Sequence, residues 1–305
     1  MFYNFQDKLR RLRFYLSVRQ VFSTAPIGVD QYSPIALMTQ LQHKDVLLAI
    51  IAFKSFVARI PVNAFYVLND GSLTPSDFYL LRHHFPGLTF LRMEDAKSEF
   101  CPTGGCWERL LSISSLIRNH YVIQLDSDTL TLGDIPEISA CVKANQSFVI
   151  GTWDGQDFES MLSRQATAAG LATKAEKPPH IQLTSEASFN SLDRFQTLKY
   201  VRGCAGFSGF AQGSFDRSFV EAISAQMLKA LGNRWREWGS EQVMSNIVVA
   251  NSPSARVLPH PKYCDCTRIN PKETVFIHFI GSCRFMGGTY ARMAQQMIHR
   301  LMMAR

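Results

Sequence analysis

The first half of the chain switches between two hydrophobic periods. Ile35-Ala-Leu-Met-Thr-Gln-Leu41 is an apolar run of strand length, and Asp45 to Val57 is an apolar run of helix length. Val62 to Leu68 predicts a second strand, ended by the turn signal Asn69-Asp70-Gly71. Ser76 caps a predicted helix to His84, and Leu88 to Arg92 is a third strand. A loop rich in Gly, Pro and Cys, from Cys101 to Cys106, precedes a helix from Trp107 to Asn119. That helix feeds a fourth apolar strand beginning at Tyr121. Strands alternating with helices predict βαβ units and a mostly parallel sheet, whose ligands gather at the carboxyl ends of the strands.

The second half is less regular. Phe148-Val-Ile-Gly-Thr-Trp153 reads as a strand, and Ser163 to His180 as a surface loop or short helix. Gly203-Cys-Ala-Gly-Phe-Ser-Gly-Phe-Ala-Gln-Gly213 is dense in glycine, which lets backbone approach a ligand closely. Helices are predicted over Ser218 to Gly232 and Ser240 to Ala250, and a short strand over Thr274 to Gly281. At the N-terminus Phe2, Phe5, Leu9, Leu12 and Leu16 recur at helical spacing among Lys8, Arg10, Arg11, Arg13 and Arg19. That pattern predicts a basic amphipathic helix, packed on the body through this stripe or resting on anionic lipid. A basic, Met-rich helix is predicted over Tyr290 to Met303.

Length and charge narrow the class. The 305 residues, 46% hydrophobic, suffice for one large α/β domain. A net charge of +7 suits an anionic partner. Nucleic acid is not expected, because aromatics are not interleaved with the basic runs. The seven cysteines complete no zinc pattern, and the chain is too large to need staples, so reduced thiols in a cytoplasmic protein are expected. No run is apolar and long enough to predict a bilayer span or signal peptide. Neither G-x-G-x-x-G nor a P-loop is present.

The densest chemistry follows the fourth strand, where Leu125-Asp126-Ser127-Asp128-Thr129 holds two carboxylates one residue apart. In extended backbone residues i and i+2 share a face, so both can aim at one hard divalent cation. A solvated turn closing the strand fits the same triplet.

The order of features resembles the GT-A fold of nucleotide-sugar glycosyltransferases, most of all the retaining group of glycogenin and lipopolysaccharide galactosyltransferases. Four segments carry the resemblance, which spans residues 35 to 285. They are the first strand and helix ending Phe53-Lys54-Ser55-Phe56, the D-x-D at Asp126 to Asp128, Gly206-Phe-Ser-Gly-Phe210 with Trp238-Gly-Ser-Glu241-Gln242 and Asn246, and Ile277-His278-Phe-Ile-Gly281 with Arg284. The chain departs from the group in having Glu241 where Asp is usual, Ser after Gly281, Arg284 where Lys is common, and no Asn before the Gly of the glycine-dense segment. These departures leave the stereochemistry and subfamily open.

The resemblance implies an α/β, Rossmann-like GT-A domain with a mostly parallel sheet flanked by helices and a C-terminal acceptor-side subregion. One catalytic domain over residues 30–290 would divide into a nucleotide half (30–150) and a sugar and acceptor half (151–290). Terminal helices at 1–25 and 290–305 would flank it. Asp126, Asp128 and His278 would hold Mn²⁺, or Mg²⁺, on the diphosphate of a UDP-sugar. Ser127, Gly281, Arg284 and Arg109 would serve the phosphates, and Thr39, Gln40 and Asp70 the base and ribose. Glu241, Gln242 and Asp154 would stand at the sugar, with Trp235 and Trp238 on the acceptor side or in the core. The acceptor, whether glycan, lipid or protein, is not specified, and the terminal helices leave peripheral contact with an inner membrane face open. Two competing readings are a metal-dependent nucleotidyl or phosphoryl transferase and a degenerate GT-A binding protein. The first lacks its third carboxylate or phosphate-loop lysine.

Overall fold

The computed structural model describes residues 2–303. After helix α1 (Phe2–Val18), strand and helix alternate as β1 (Ile35–Leu41), α2 (Val46–Val57), β2 (Ala64–Asn69), α3 (Pro75–His84) and β3 (Thr89–Arg92). Helix α4 (Trp107–Leu116) leads into β4 (Tyr121–Leu125) and β5 (Thr129–Thr131), followed by α5 (Pro136–Lys143) and β6 (Phe148–Ile150). An excursion of β7 (Glu159–Ser160), α6 (Met161–Ala172), α7 (Ile181–Ala187) and β8 (Lys199–Tyr200) precedes β9 (Cys204–Phe210). The chain ends with α8 (Arg217–Leu231), α9 (Ser240–Ala250), β10 (Arg256–Leu258), β11 (Tyr263–Asp265), β12 (Phe276–His278) and α10 (Thr289–Met303).

The main sheet has seven strands in the order β10-β6-β9-β4-β1-β2-β3. β1, β2, β3 and β4 pair in parallel, as do β6 and β10, while β9 runs antiparallel between β4 and β6. Helix α2 is apolar except for Lys54 and Ser55, and Val46 through Phe56 are all buried, the mark of a helix inside the core. Helix α3 is capped two residues earlier than Ser76 implied. Thr74 and Asp77 form a reciprocal capping box with Pro75 in the first turn.

Seven residues of the glycine-dense segment, to which the sequence assigned no element, form β9 inside the sheet, and two other expectations are corrected. The glycines are there for space, since a Cβ at Gly209 would lie 2.2 Å from the Phe148 ring. Helix α1 does pack on the body, but through the opposite face. Phe14 and Val18 are buried, and the Phe14 ring lies 4.6 Å from that of Tyr290 on α10. Leu9, Leu12 and Leu16 are 37%, 53% and 57% exposed, and the side chains of Phe2 and Phe5 lie outside those described. The cysteines are not all reduced, because Cys266 and Cys283 form a disulfide.

A second sheet, β11-β12-β5, positions the site. β12 runs antiparallel to β5, with His278 opposite Thr129, and parallel to β11, with His278 opposite Asp265. The Phe279 N–H donates to the Asp128 carbonyl at 2.8 Å. This pairing closes a sequence gap of some 150 residues between His278 and the Asp126-Ser-Asp128 triplet.

Candidate active site

The carboxylate pair sits in a turn rather than in extended backbone. The Asp126 N–H donates to the Gly206 carbonyl at 2.8 Å, extending the β4–β9 pairing by one residue. Thr129 then closes the turn, with its N–H and hydroxyl both donating to the Asp126 carbonyl at 3.2 and 2.8 Å. Asp126 and Asp128 nevertheless face one cavity of about 350 Å³. Its wall also carries Arg109, Glu241, Gln242, His278, Gly281 and Arg284. Ligand sites in open α/β sheets sit at such strand ends.

His278 arrives from β12 with Nε2 3.2 Å from an Asp128 carboxylate oxygen and 3.8 Å from one of Asp126. Its ring rests over Gly206, where a Cβ would come within 2.1 Å of Cε1. Burial alone lowers the pKa of His278. Cys204 and Asp128 facing the ring overcome that and hold it well above its ordinary value. Burial likewise works to raise the pKa of Asp128, and His278 and Arg284 overcome it, leaving the carboxyl below its ordinary value. Arg284 bonds the second Asp128 oxygen and donates through Nε to the Phe279 carbonyl.

The cation requirement of this cluster is testable from its donors. Among the described residues, Asp126, Asp128 and His278 offer ligand atoms all within 4.8 Å of one another. Two ligands at right angles on one ion, each about 2.1 Å from it, stand about 3 Å apart. The spacings of 3.2 and 3.8 Å therefore need only a small closure, and two carboxylates with one imidazole fit a divalent ion.

Arg109 and Glu241 line the same cavity beside Asp126. They come from the first turns of α4 and α9, which are tied together by the Trp107 indole N–H donating to the Ser240 hydroxyl at 2.9 Å. The Arg109 guanidinium bridges Asp126 and Glu241, the latter at 3.3 Å. Burial pushes the Glu241 carboxyl up to about 7, against the opposing pull of Arg109. Burial works to lower the pKa of Arg109 itself, and Asp126 foremost overcomes it, so the guanidinium stays charged. Its two terminal nitrogens are engaged by these carboxylates.

The remaining candidates divide. Gln242 lines the cavity, and its amide donates to the Gly203 carbonyl at 3.2 Å. Asp154 is elsewhere, lining a surface hollow with Trp153 and Arg256. Thr39 is fully buried with its hydroxyl on the Gln40 carbonyl at 3.4 Å, so it offers no side-chain contact to a base. Asp70 spends a carboxylate oxygen on the N–H and hydroxyl of Ser72, which is ordinary turn chemistry. Thr39, Gln40, Asp70 and Ser127 all lie outside the cavity lining. Trp235 is core, edge-on to Trp107, whereas Trp238 is 74% exposed at the cavity wall. Sequence reasoning passed over Cys204 and Asp265, which also line the cavity. A strand glycine at Gly206 was the available signal, since it marks a close approach.

No protein-family model matches the chain, and no curated protein matches it by sequence. Solved structures match its architecture. The apo structure of the bifunctional glycosyltransferase WbbM superposes with a TM-score of 0.52 at 13% identity, over 91% of this chain and 53% of its own. The fold is GT-A. The apo form of the glycosyltransferase GlyE from Streptococcus pneumoniae superposes with a TM-score of 0.50 at 12% identity, over 88% of this chain and 63% of its own. The chain thus spans about half the length of the WbbM structure. At such identities the likeness establishes the GT-A architecture, and the chemistry must be argued from the site.

Proposed function

We propose that this GT-A chain is a metal-dependent glycosyltransferase that moves a sugar from a nucleotide diphosphate donor, a UDP-sugar, to an acceptor with retention at the anomeric carbon. The observation that carries the reading is the convergence of Asp126, Asp128 and His278 on one cavity wall, with Arg284 beside them. Transfer breaks the bond between the anomeric carbon and a diphosphate oxygen, so positive charge is needed where the leaving oxygen develops its own. Mn²⁺, better suited than Mg²⁺ to a shell with an imidazole, supplies Lewis acidity and a template there when bound. Arg284 adds a fixed cation at Asp128 and a fork suited to phosphate. Gly281, in the same short segment, leaves backbone open to the diphosphate.

Glu241 faces the reacting sugar in this reading. A carboxyl near 7 exchanges a proton at neutral pH, and Arg109 fixes its position relative to Asp126. It orients donor hydroxyls or acts as base or nucleophile. Gln242 holds the floor of the cavity through Gly203, and Trp238 offers an aromatic face to the acceptor. A screen of UDP-sugars and GDP-sugars for Mn²⁺-dependent hydrolysis, with NMR of the released anomer, tests donor and stereochemistry together. Release of the inverted anomer would refute retention, and no turnover of any nucleotide-sugar would refute the reading.

A peripheral membrane location is part of the same proposal. No described helix is long and apolar enough to cross a membrane. The stripe of Leu9, Leu12 and Leu16, flanked by Lys8, Arg13 and Arg19, instead suits the surface of an anionic bilayer. Replacing the three leucines with Gln should abolish sedimentation with phosphatidylglycerol vesicles; unchanged sedimentation would refute it.

A further inference from the structure

We propose that Cys204 is a positioning residue for the metal site: its sulfur accepts the Nδ1–H of His278 and so turns a bare Nε2 toward Asp126 and Asp128. The proposal rests on the metal-site reading above. The Cys204 sulfur lies 2.9 Å from Nδ1, on the side of the ring away from the carboxylates. Nε2 lies 3.2 Å from Asp128 and 3.8 Å from Asp126. A neutral imidazole carries its proton on one nitrogen and a lone pair on the other. Carboxylates only accept, so on their own they would draw the proton to Nε2, the nitrogen that must ligate. An acceptor at Nδ1 opposes that choice, which is the general task of the partner behind a metal-bound histidine.

Cys204 is itself held in place. It opens β9 in register with Ile150 of β6. The carbonyl of the preceding Gly203 accepts from the side-chain amides of Gln242 and Asn246, each at 3.2 Å. Gly206, two residues on, removes the Cβ that would push the ring off the sulfur. The ring is therefore located from three sides: strand floor, sulfur and carboxylates.

The test uses the full chain and Mn²⁺ alone as probe, with affinity read from the electron paramagnetic resonance of free Mn²⁺. Cys204→Ala should weaken binding about 10- to 100-fold, and Cys204→Ser, which keeps an acceptor, should recover most of the loss. If Cys204→Ala binds within twofold of wild type, the positioning role is wrong while the metal site stands. If wild type binds no Mn²⁺, the metal-site reading and this proposal both fall. If wild type with Cd²⁺ shows a thiolate charge-transfer band that both variants lack, Cys204 is a direct ligand and the positioning role is overturned. Should the variants fail to fold, ¹⁵N shifts of His278 in Mg²⁺-loaded wild type decide. A protonated Nδ1 supports the proposal, and a protonated Nε2 overturns it.

Discussion

Gly206→Ala isolates the geometry of the site without touching a ligand. The backbone at Gly206 is ordinary strand, so alanine meets no conformational penalty, and the only obstacle is space. The new Cβ would stand 2.1 Å from His278 Cε1, 2.3 Å from Nδ1 and 2.6 Å from Nε2, where ordinary contact begins at 3.4 Å. The ring must therefore retreat by 3.4 minus 2.1, or about 1.3 Å. Backbone retreat is opposed because β12 is paired on both sides, so the imidazole itself must swing. Metal–ligand distances tolerate about 0.2 Å, so His278 drops out of the shell. Overpacking should cost about 1–3 kcal/mol, partly offset by the about 0.4–1 kcal/mol that replacing Gly gains through the unfolded chain. The metal-free melting temperature should then fall by no more than about 4 °C. Mn²⁺ affinity, read by thermal shift against ion concentration, should fall by at least about 100-fold, beyond the range seen for a lost supporting contact. Wild-type Mn²⁺ affinity in Gly206→Ala would show that His278 does not ligate.

Glu241 makes stability depend on pH. Its folded carboxyl is raised from 4.5 to about 7, so its contribution is complete below 4.5 and is lost as pH rises through 7. The difference of 2.5 units corresponds to about 3 kcal/mol as an order of magnitude, and Glu241→Gln should flatten urea-derived stability across that window. A variant profile parallel to wild type would contradict the burial argument. Arg109→Met leaves Asp126 and Glu241 facing each other without their cation and should cost about 3–5 kcal/mol in chemical denaturation; a loss under 1 kcal/mol would mean the bridge is not formed in solution. Cys266 and Cys283 should resist alkylation until a reductant is added, as mass mapping would report. Reduction should cost about 3 kcal/mol for a crosslink spanning 17 residues.

Much of the GT-A frame was legible because each βαβ unit is local. The strand at Ile35, the helix after it and the helix at Ser240 emerge within a residue or so of their predicted limits. What escaped was set by distant partners. No strand is legible at β9 because Gly206 and Gly209 answer to His278 and Phe148, neither of which is near in sequence. Helix α1 carries two apolar faces, and only the aromatic seat offered by Tyr290 and Phe285 decides that Phe14 turns inward. The disulfide depends on the pairing of β11 with β12, which no spacing of cysteines reveals. At the site, Asp126, Asp128, His278, Glu241, Gln242, Arg109, Gly281 and Arg284 do meet, because they stand at the end of a strand, at the start of a helix or, for Gly281 and Arg284, in the short segment after β12. Asp154 and Thr39 do not, since turn position and strand alternation send them elsewhere. Arg109, Asp126 and Glu241 were each legible as site residues, but the pairing of Arg109 with the two carboxylates was not.

The central claim is that Asp126, Asp128 and His278 clamp a divalent ion onto a nucleoside diphosphate. Calorimetric titration of UDP and GDP into wild type, with and without Mn²⁺, and into Asp128→Asn tests it most directly. Binding of at least one nucleotide that requires Mn²⁺ and vanishes in Asp128→Asn is the predicted result. Equal affinity with and without the ion, or full Mn²⁺-dependent binding by Asp128→Asn, would contradict it.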